Sequence, residues 1–179
     1  MPQASKSCFL VVDVQNLLVE DCTYRGHEML DTIKRLLAFC RKKGVEIVYV
    51  RHEEKNGALT KDTEPWQIYS EVAPLGGERV FDKRHSSSFY QTGLKEYLRE
   101  KGIQTIILAG METGFCINAT VQAGFEHGFE MLIPESGHTA GDYGAPFMSA
   151  ERSVTYHNAL WDGRFGRVLR VEDVEKLFD

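Results

Sequence analysis

Short apolar runs alternate with amphipathic stretches along most of this chain. Residues 8–12 form an apolar run closed by Asp13. Met29, Ile33, Leu36, Leu37 and Cys40 recur at the spacing of one helix face. Arg41, Lys42 and Lys43 sit in the last turn of that segment and Gly44 follows, a C-terminal helix signal. Residues 45–50 predict a second strand, and Val80 with Phe81 a short third one. Leu94, Tyr97 and Leu98 predict a helix stopped by Gly102. The uninterrupted apolar stretch 105–109 reads as a strand buried on both faces, as in a parallel sheet. A helix is expected from Gly114 or Phe115 to about His127, then a strand at 131–133, a helix at 147–160, a strand at 167–169 and a terminal helix at 171–178. Residues 52–77 contain Pro65, Pro74 and Gly76-Gly77, have little periodicity, and read as a long loop.

Strand and helix in alternation imply an α/β sandwich with a mostly parallel sheet and helices on both faces. Neither a repeat nor a linker interrupts the pattern, so residues 1–179 read as one domain. The formal net charge of −5 argues against nucleic acid as the main partner. The first residues lack the long apolar stretch of a secretory leader, and no window approaches a membrane span. Cysteines 8, 22, 40 and 116 match no metal-binding pair or disulfide framework. Free thiols in a cytoplasmic protein are expected.

Ligands of open α/β sheets bind beyond the carboxyl ends of the strands. Three reactive residues fall there. Asp13 follows the first apolar run, Lys83 follows Val80 and Phe81, and Cys116 lies past the turn after the 105–109 strand. Taken singly, Asp13 is a loop cap, Lys83 a solvated charge and Cys116 a small buried residue. Taken together they are an acid, a cation and a thiol on one sheet edge. The start of a helix and the Lys83 ammonium would favour a thiolate, and Asp13 would take the thiol proton.

The contexts of these residues resemble the isochorismatase-like cysteine hydrolase superfamily. VVDVQN at 11–16 is similar to its first-strand motif and DKRHSSSFYQTGL at 82–94 to its lysine motif. IILAGMETGFCINATVQAGFEHGFEMLIPES at 106–136 is similar to its nucleophile region. The resemblance implies a three-layer, Rossmann-like α/β sandwich with a six-stranded sheet, and a triad of Asp13, Lys83 and Cys116. It further implies a cis peptide joining Met111 to Glu112, and an oxyanion hole made by the N–H groups of Glu112 and Cys116. The reaction implied is cleavage of a C–N bond in a small amide, urea or carbamoyl compound through a thioester, and the assembly a homo-oligomer, dimer or tetramer.

The nicotinamidase branch carries an Asp-x-His pair and a further His after its second strand, which bind a metal. Here Arg51-His52-Glu53 stands in that place and the next histidine is His85. Nicotinamidase activity, a required metal and any other cofactor are therefore not expected, and His52 reads as part of a solvated loop. Isochorismate hydrolysis, which attacks a vinyl ether, does not need a thiol, and Cys116 argues against it. A non-catalytic binding module on the same fold is disfavoured because all three triad positions are filled. Trp66, Tyr69, Phe89, Tyr143 and Phe147 are candidates for the pocket wall. His138 reads as a loop residue and His157-Asn158 as packing or interface. The small residues Ala119, Ala123 and Gly124 would let the nucleophile helix lie close on the sheet.

Overall fold

The computed structural model describes residues 1–21 and 24–178. Cys22 lies outside the described residues. The strands are β1 (Ser7–Val12), β2 (Glu46–His52), β3 (Arg79–Lys83), β4 (Thr105–Met111), β5 (Glu130–Pro134), β6 (His138–Thr139) and β7 (Arg167–Leu169). The helices are α1 (Asn16–Asp21), α2 (Gly26–Lys43), α3 (Leu94–Glu100), α4 (Asn118–Glu126), α5 (Ala150–Trp161) and α6 (Val171–Lys176). The sheet runs in the order β3-β2-β1-β4-β5-β7, with β6 paired to β4 off that path, and the strand pairs are parallel. The six expected strands make up the path. The seventh, β6, is two residues long, too short to leave a hydrophobic pattern.

Strand β1 is buried throughout, and its alternation divides the core. Phe9 and Val11 pack with Ile33, Leu36 and Leu37 of α2. Cys8, Leu10 and Val12 pack with Leu94 and Leu98 of α3, Val121 of α4 and Trp161 of α5. Two helical layers thus cover opposite faces of the sheet. Each fully buried Leu, Ile or Phe contributes about 1.5–3 kcal/mol relative to exposure.

The boundaries follow local chemistry. Helix α2 ends where expected: Gly44 adopts φ +70° and its N–H closes on Cys40 O. Helix α5 begins at Ala150, later than the apolar spacing suggests, because Ser149 caps it and accepts the Arg152 N–H. Helix α1 spans only six residues, short of the length at which periodicity is readable. Gly124 lets α4 lie close on β5: a Cβ there would lie 2.5 Å from Met131 Sδ, and the methionine would have to move.

Register brings the reactive residues level. Val12 pairs with Val50 on one side and with Gly110 on the other, and His52 pairs with Lys83. Gly110 allows β4 to approach β1: a Cβ there would sit 2.0 Å from Val12 O. The carboxyl ends of four strands therefore meet at one edge.

Candidate active site

Asp13 is the first residue beyond β1. Its N–H donates to Val50 O at 2.9 Å, which ties it to the end of β2, and its φ is +54°. Gln15, fully buried, fastens the neighbouring chain. Its Nε2 donates to His52 O at 2.9 Å and to Trp66 O at 2.8 Å, and its Oε1 accepts the His52 N–H at 2.8 Å. Much of the 52–77 loop is anchored in this way. Asn16 N–H donates to Gln67 O, Leu17 N–H to Pro65 O and Tyr69 N–H to Val14 O.

Lys83 closes β3 and is 2% exposed. Its ammonium lies 2.7 Å from Asp13 Oδ2 and 3.1 Å from Cys116 Sγ. It also reaches His85 O at 3.0 Å and His52 Nδ1 at 3.2 Å. Burial alone would weaken the protonated lysine. The Asp13 carboxylate outweighs it and holds Lys83 above its ordinary value.

Cys116 sits in a π-helical turn, Thr113–Ile117, directly before α4. The Met111–Glu112 bond that enters the turn is cis. Glu112 O accepts N–H bonds from Phe115 and Ile117, both at 3.1 Å, and neither uses the Cys116 N–H. The thiol is half-buried, whereas Cys8 and Cys40 are fully buried. Burial first and the Asp13 carboxylate second push the Cys116 thiol up to about 12, and Lys83 offsets this only in part. A resting thiolate is therefore corrected: the proton stays on sulfur, beside a carboxylate placed to take it.

Below the turn lies a second polar group. Thr113 Oγ1 lies 2.9 Å from both His138 Nδ1 and Thr139 O, and its single O–H serves one of them. His138 Nε2 faces Asn158 Oδ1 at 2.8 Å, and Asn158 Nδ2 donates to Glu135 O. Burial pulls His138 down to about 4, so its ring is neutral at physiological pH. It is a buried support of the turn, which corrects its reading as a loop residue. Asn158 acts with it. His157 packs against Trp161 and donates to Ser153 O, in line with a packing role.

The candidate pocket residues scatter. Tyr143 donates to Glu112 Oε1 and lines a cavity of about 160 Å³ with Phe115, Phe147, Met148 and His157. Phe89 packs with Phe129 and His127 in the core, beside α4, which removes it from the pocket wall. Trp66 stacks on the Arg51 guanidinium at 3.3 Å, and strand alternation puts Arg51 on the face of β2 opposite His52. Tyr69 packs against the α2-side core.

His52 is not in a solvated loop. It is the last residue of β2, half-buried, and in contact with Lys83. Glu53 is paired with Arg84 at 2.6 Å. Asp13, His52 and Cys116 offer ligand atoms that all lie within 4.8 Å of one another. The Lys83 ammonium touches all three residues, so a divalent ion there would meet like charge. The set does not fit a resident metal. Among the described residues no helix is long and apolar enough to cross a membrane.

The class this defines is a parallel α/β sandwich with a carboxylate, an ammonium and a half-buried thiol gathered at the carboxyl edge of its sheet. The isochorismatase domain matches residues 7–173, and the chain belongs to that family of hydrolases. It is similar to the secreted isochorismatase effector Isc1 of Verticillium dahliae, 31% identical over 79% of this chain and 75% of that one. It is 27% identical to the streptothricin hydrolase of Streptomyces noursei over 74% of this chain and 54% of that one. A putative hydrolase of the isochorismatase family from Chromobacterium violaceum superposes with a TM-score of 0.86 at 27% identity, over 96% of this chain and 93% of that chain.

Three supporting residues escaped the sequence: Gln15, His52 and His138. The rule that located Asp13 and Lys83, a polar residue just at a strand's carboxyl end, also selects His52. Gln15 and His138 offered no such signal.

Proposed function

We propose that this protein hydrolyses a C–N bond of a small amide, urea or carbamoyl compound, with Cys116 as nucleophile and a thioester intermediate. The observation that carries the reading is the three-way contact: Lys83 Nζ at 2.7 Å from Asp13 and 3.1 Å from the sulfur of Cys116, a residue that is only half-buried. Asp13 takes the Cys116 proton, and the sulfur adds to the substrate carbonyl. The oxyanion faces the N–H groups of Glu112 and Cys116. Asp13 returns the proton to the departing nitrogen, then activates the water that cleaves the thioester. Lys83 keeps its proton and balances the negative charge as it passes between carboxylate and sulfur.

The names of relatives support an amide substrate. One matched protein is the maleamate amidohydrolase of Pseudomonas putida, 39% identical over 35% of this chain, and another is the ureidoacrylate amidohydrolase RutB of Yersinia enterocolitica, 25% identical over 76% of it. No added metal or cofactor enters the scheme. The exposed cluster of Phe115, Tyr143, Phe147 and Met148 supports a homo-oligomer, which sedimentation velocity measures directly.

The test is ammonia release from a panel of small amides, ureas and carbamoyl compounds. Wild-type protein is expected to turn over at least one, and Cys116→Ala none, with an unchanged circular dichroism spectrum. Full activity in Cys116→Ala removes the reading.

A further inference from the structure

We infer that His52 is a substrate-contact residue: its Nε2–H donates to an acceptor atom on the acyl side of the scissile bond, and so selects compounds that carry a second polar group next to the reacting carbonyl. The inference rests on the cysteine-hydrolase reading above.

The argument begins with a proton count. An ammonium has three N–H donors and no acceptor. Lys83 Nζ has three hydrogen-bond acceptors within reach, His85 O at 3.0 Å, Cys116 Sγ at 3.1 Å and His52 Nδ1 at 3.2 Å, beside an ion-pair contact with Asp13 Oδ2 at 2.7 Å. A ring nitrogen that faces a charged lysine is the acceptor, so His52 Nδ1 is bare and Nε2 carries the ring proton. Burial and then the charge of Lys83 lower the His52 pKa, which keeps the ring neutral at physiological pH. Gln15 grips both the N–H and the carbonyl of His52, so the ring is held from its backbone.

The ring is also well placed. A His52 nitrogen lies within 4.8 Å of both the Asp13 carboxylate and the Cys116 sulfur. The Nδ1 edge is covered by Lys83, and the residue as a whole is only half-buried. No described residue accepts the Nε2–H, which leaves that edge available to a bound molecule. A neutral donor at that position fits a carboxylate, a second carbonyl or a ureido oxygen one bond from the scissile carbon. A substrate with only hydrocarbon there leaves the N–H without a partner.

Two alkylating agents test this without knowledge of the substrate. Iodoacetamide presents an amide carbonyl one bond from the carbon that sulfur attacks, whereas methyl iodide presents none. In both, Asp13 takes the thiol proton, a C–S bond forms as the C–I bond breaks, and iodide leaves. The readout is the ratio of the two rates at Cys116, followed by peptide mass spectrometry. His52→Leu is expected to lower the ratio about fivefold, the size of one lost hydrogen bond to a neutral group. His52→Gln, whose amide both accepts from Lys83 and donates outward, is expected to restore most of it. An unchanged ratio in His52→Leu overturns the inference. So does a parallel fall in both rates, which would show that His52 acts only through Lys83. If wild-type Cys116 reacts no faster than Cys8 and Cys40, the hydrolase reading fails and this inference with it. An altered ratio with normal methyl iodide reactivity supports both.

Discussion

The nucleophile turn is held between two polar networks of opposite character. Above it, Asp13, Lys83 and His52 bring an ion pair and an imidazole against the thiol. Below it, Thr113, His138 and Asn158 form a chain of neutral groups that ends on Glu135 O. Both are buried, yet they do different work. A buried ion pair is expensive to desolvate and rarely adds net stability, so its presence marks a site where charge is used. A neutral network costs less to bury and fixes geometry. The upper network brings charge against Cys116, and the lower one braces the turn that carries it.

The comparison can be broken in order of effect. Asp13→Asn keeps the size of the side chain and removes the base, so ammonia release is expected to fall about a thousandfold, and the Lys83 ammonium left buried without its counter-charge is expected to lower the melting temperature. Retention of activity would dissolve the distinction. Lys83→Met leaves the Asp13 carboxylate buried beside a methyl group and is expected to cost about 3–5 kcal/mol in denaturant melts. The double variant Asp13→Asn/Lys83→Met is expected to recover most of that loss while remaining inactive, which separates the stability role of the pair from its chemical one.

The neutral network makes a pH prediction. His138 has a folded value of about 4 against an ordinary 6.5. Its contribution is fully present above 6.5. As pH falls from 6.5 towards 4 the unfolded chain gains a proton that the folded protein refuses, and stability declines by ~3 kcal/mol. Denaturant melts across this range are expected to show that slope in the wild type and to lack most of it in His138→Gln. The smallest effect is expected from Tyr143→Phe. It removes an exposed hydroxyl donor to Glu112 and should change turnover no more than about twofold, with stability unmoved within about 0.5 kcal/mol.

The upper network was more legible in the sequence than the lower one. Asp13, Lys83 and Cys116 lie beyond apolar runs that announce themselves as strands, and the edge rule for α/β sheets then joins them. The same pattern revealed the layers, because alternation along β1 distributes Phe9 and Val11 to one core and Leu10 and Val12 to the other. The lower network hangs from β6, two residues without a period, and from Asn158 on the far side of α5. Such contacts depend on how helices lie on the sheet. The aromatic residues show the same limit. Phe89, Trp66 and Tyr143 read alike in sequence, but one is core, one is stacked on Arg51 and one rims a small cavity. The Cys116 thiol was misread for a related reason: a neighbouring lysine is visible in spacing, whereas the depth of burial that outweighs it is not.

Partitioning with hydroxylamine tests the central claim most directly, because it intercepts an acyl group on sulfur even when none accumulates. With the amide that releases most ammonia, added hydroxylamine is expected to divert product from carboxylate to hydroxamate in proportion to its concentration, with no product of either kind from Cys116→Ala. Undiminished ammonia release that yields carboxylate alone at every hydroxylamine concentration would contradict a thioester at Cys116.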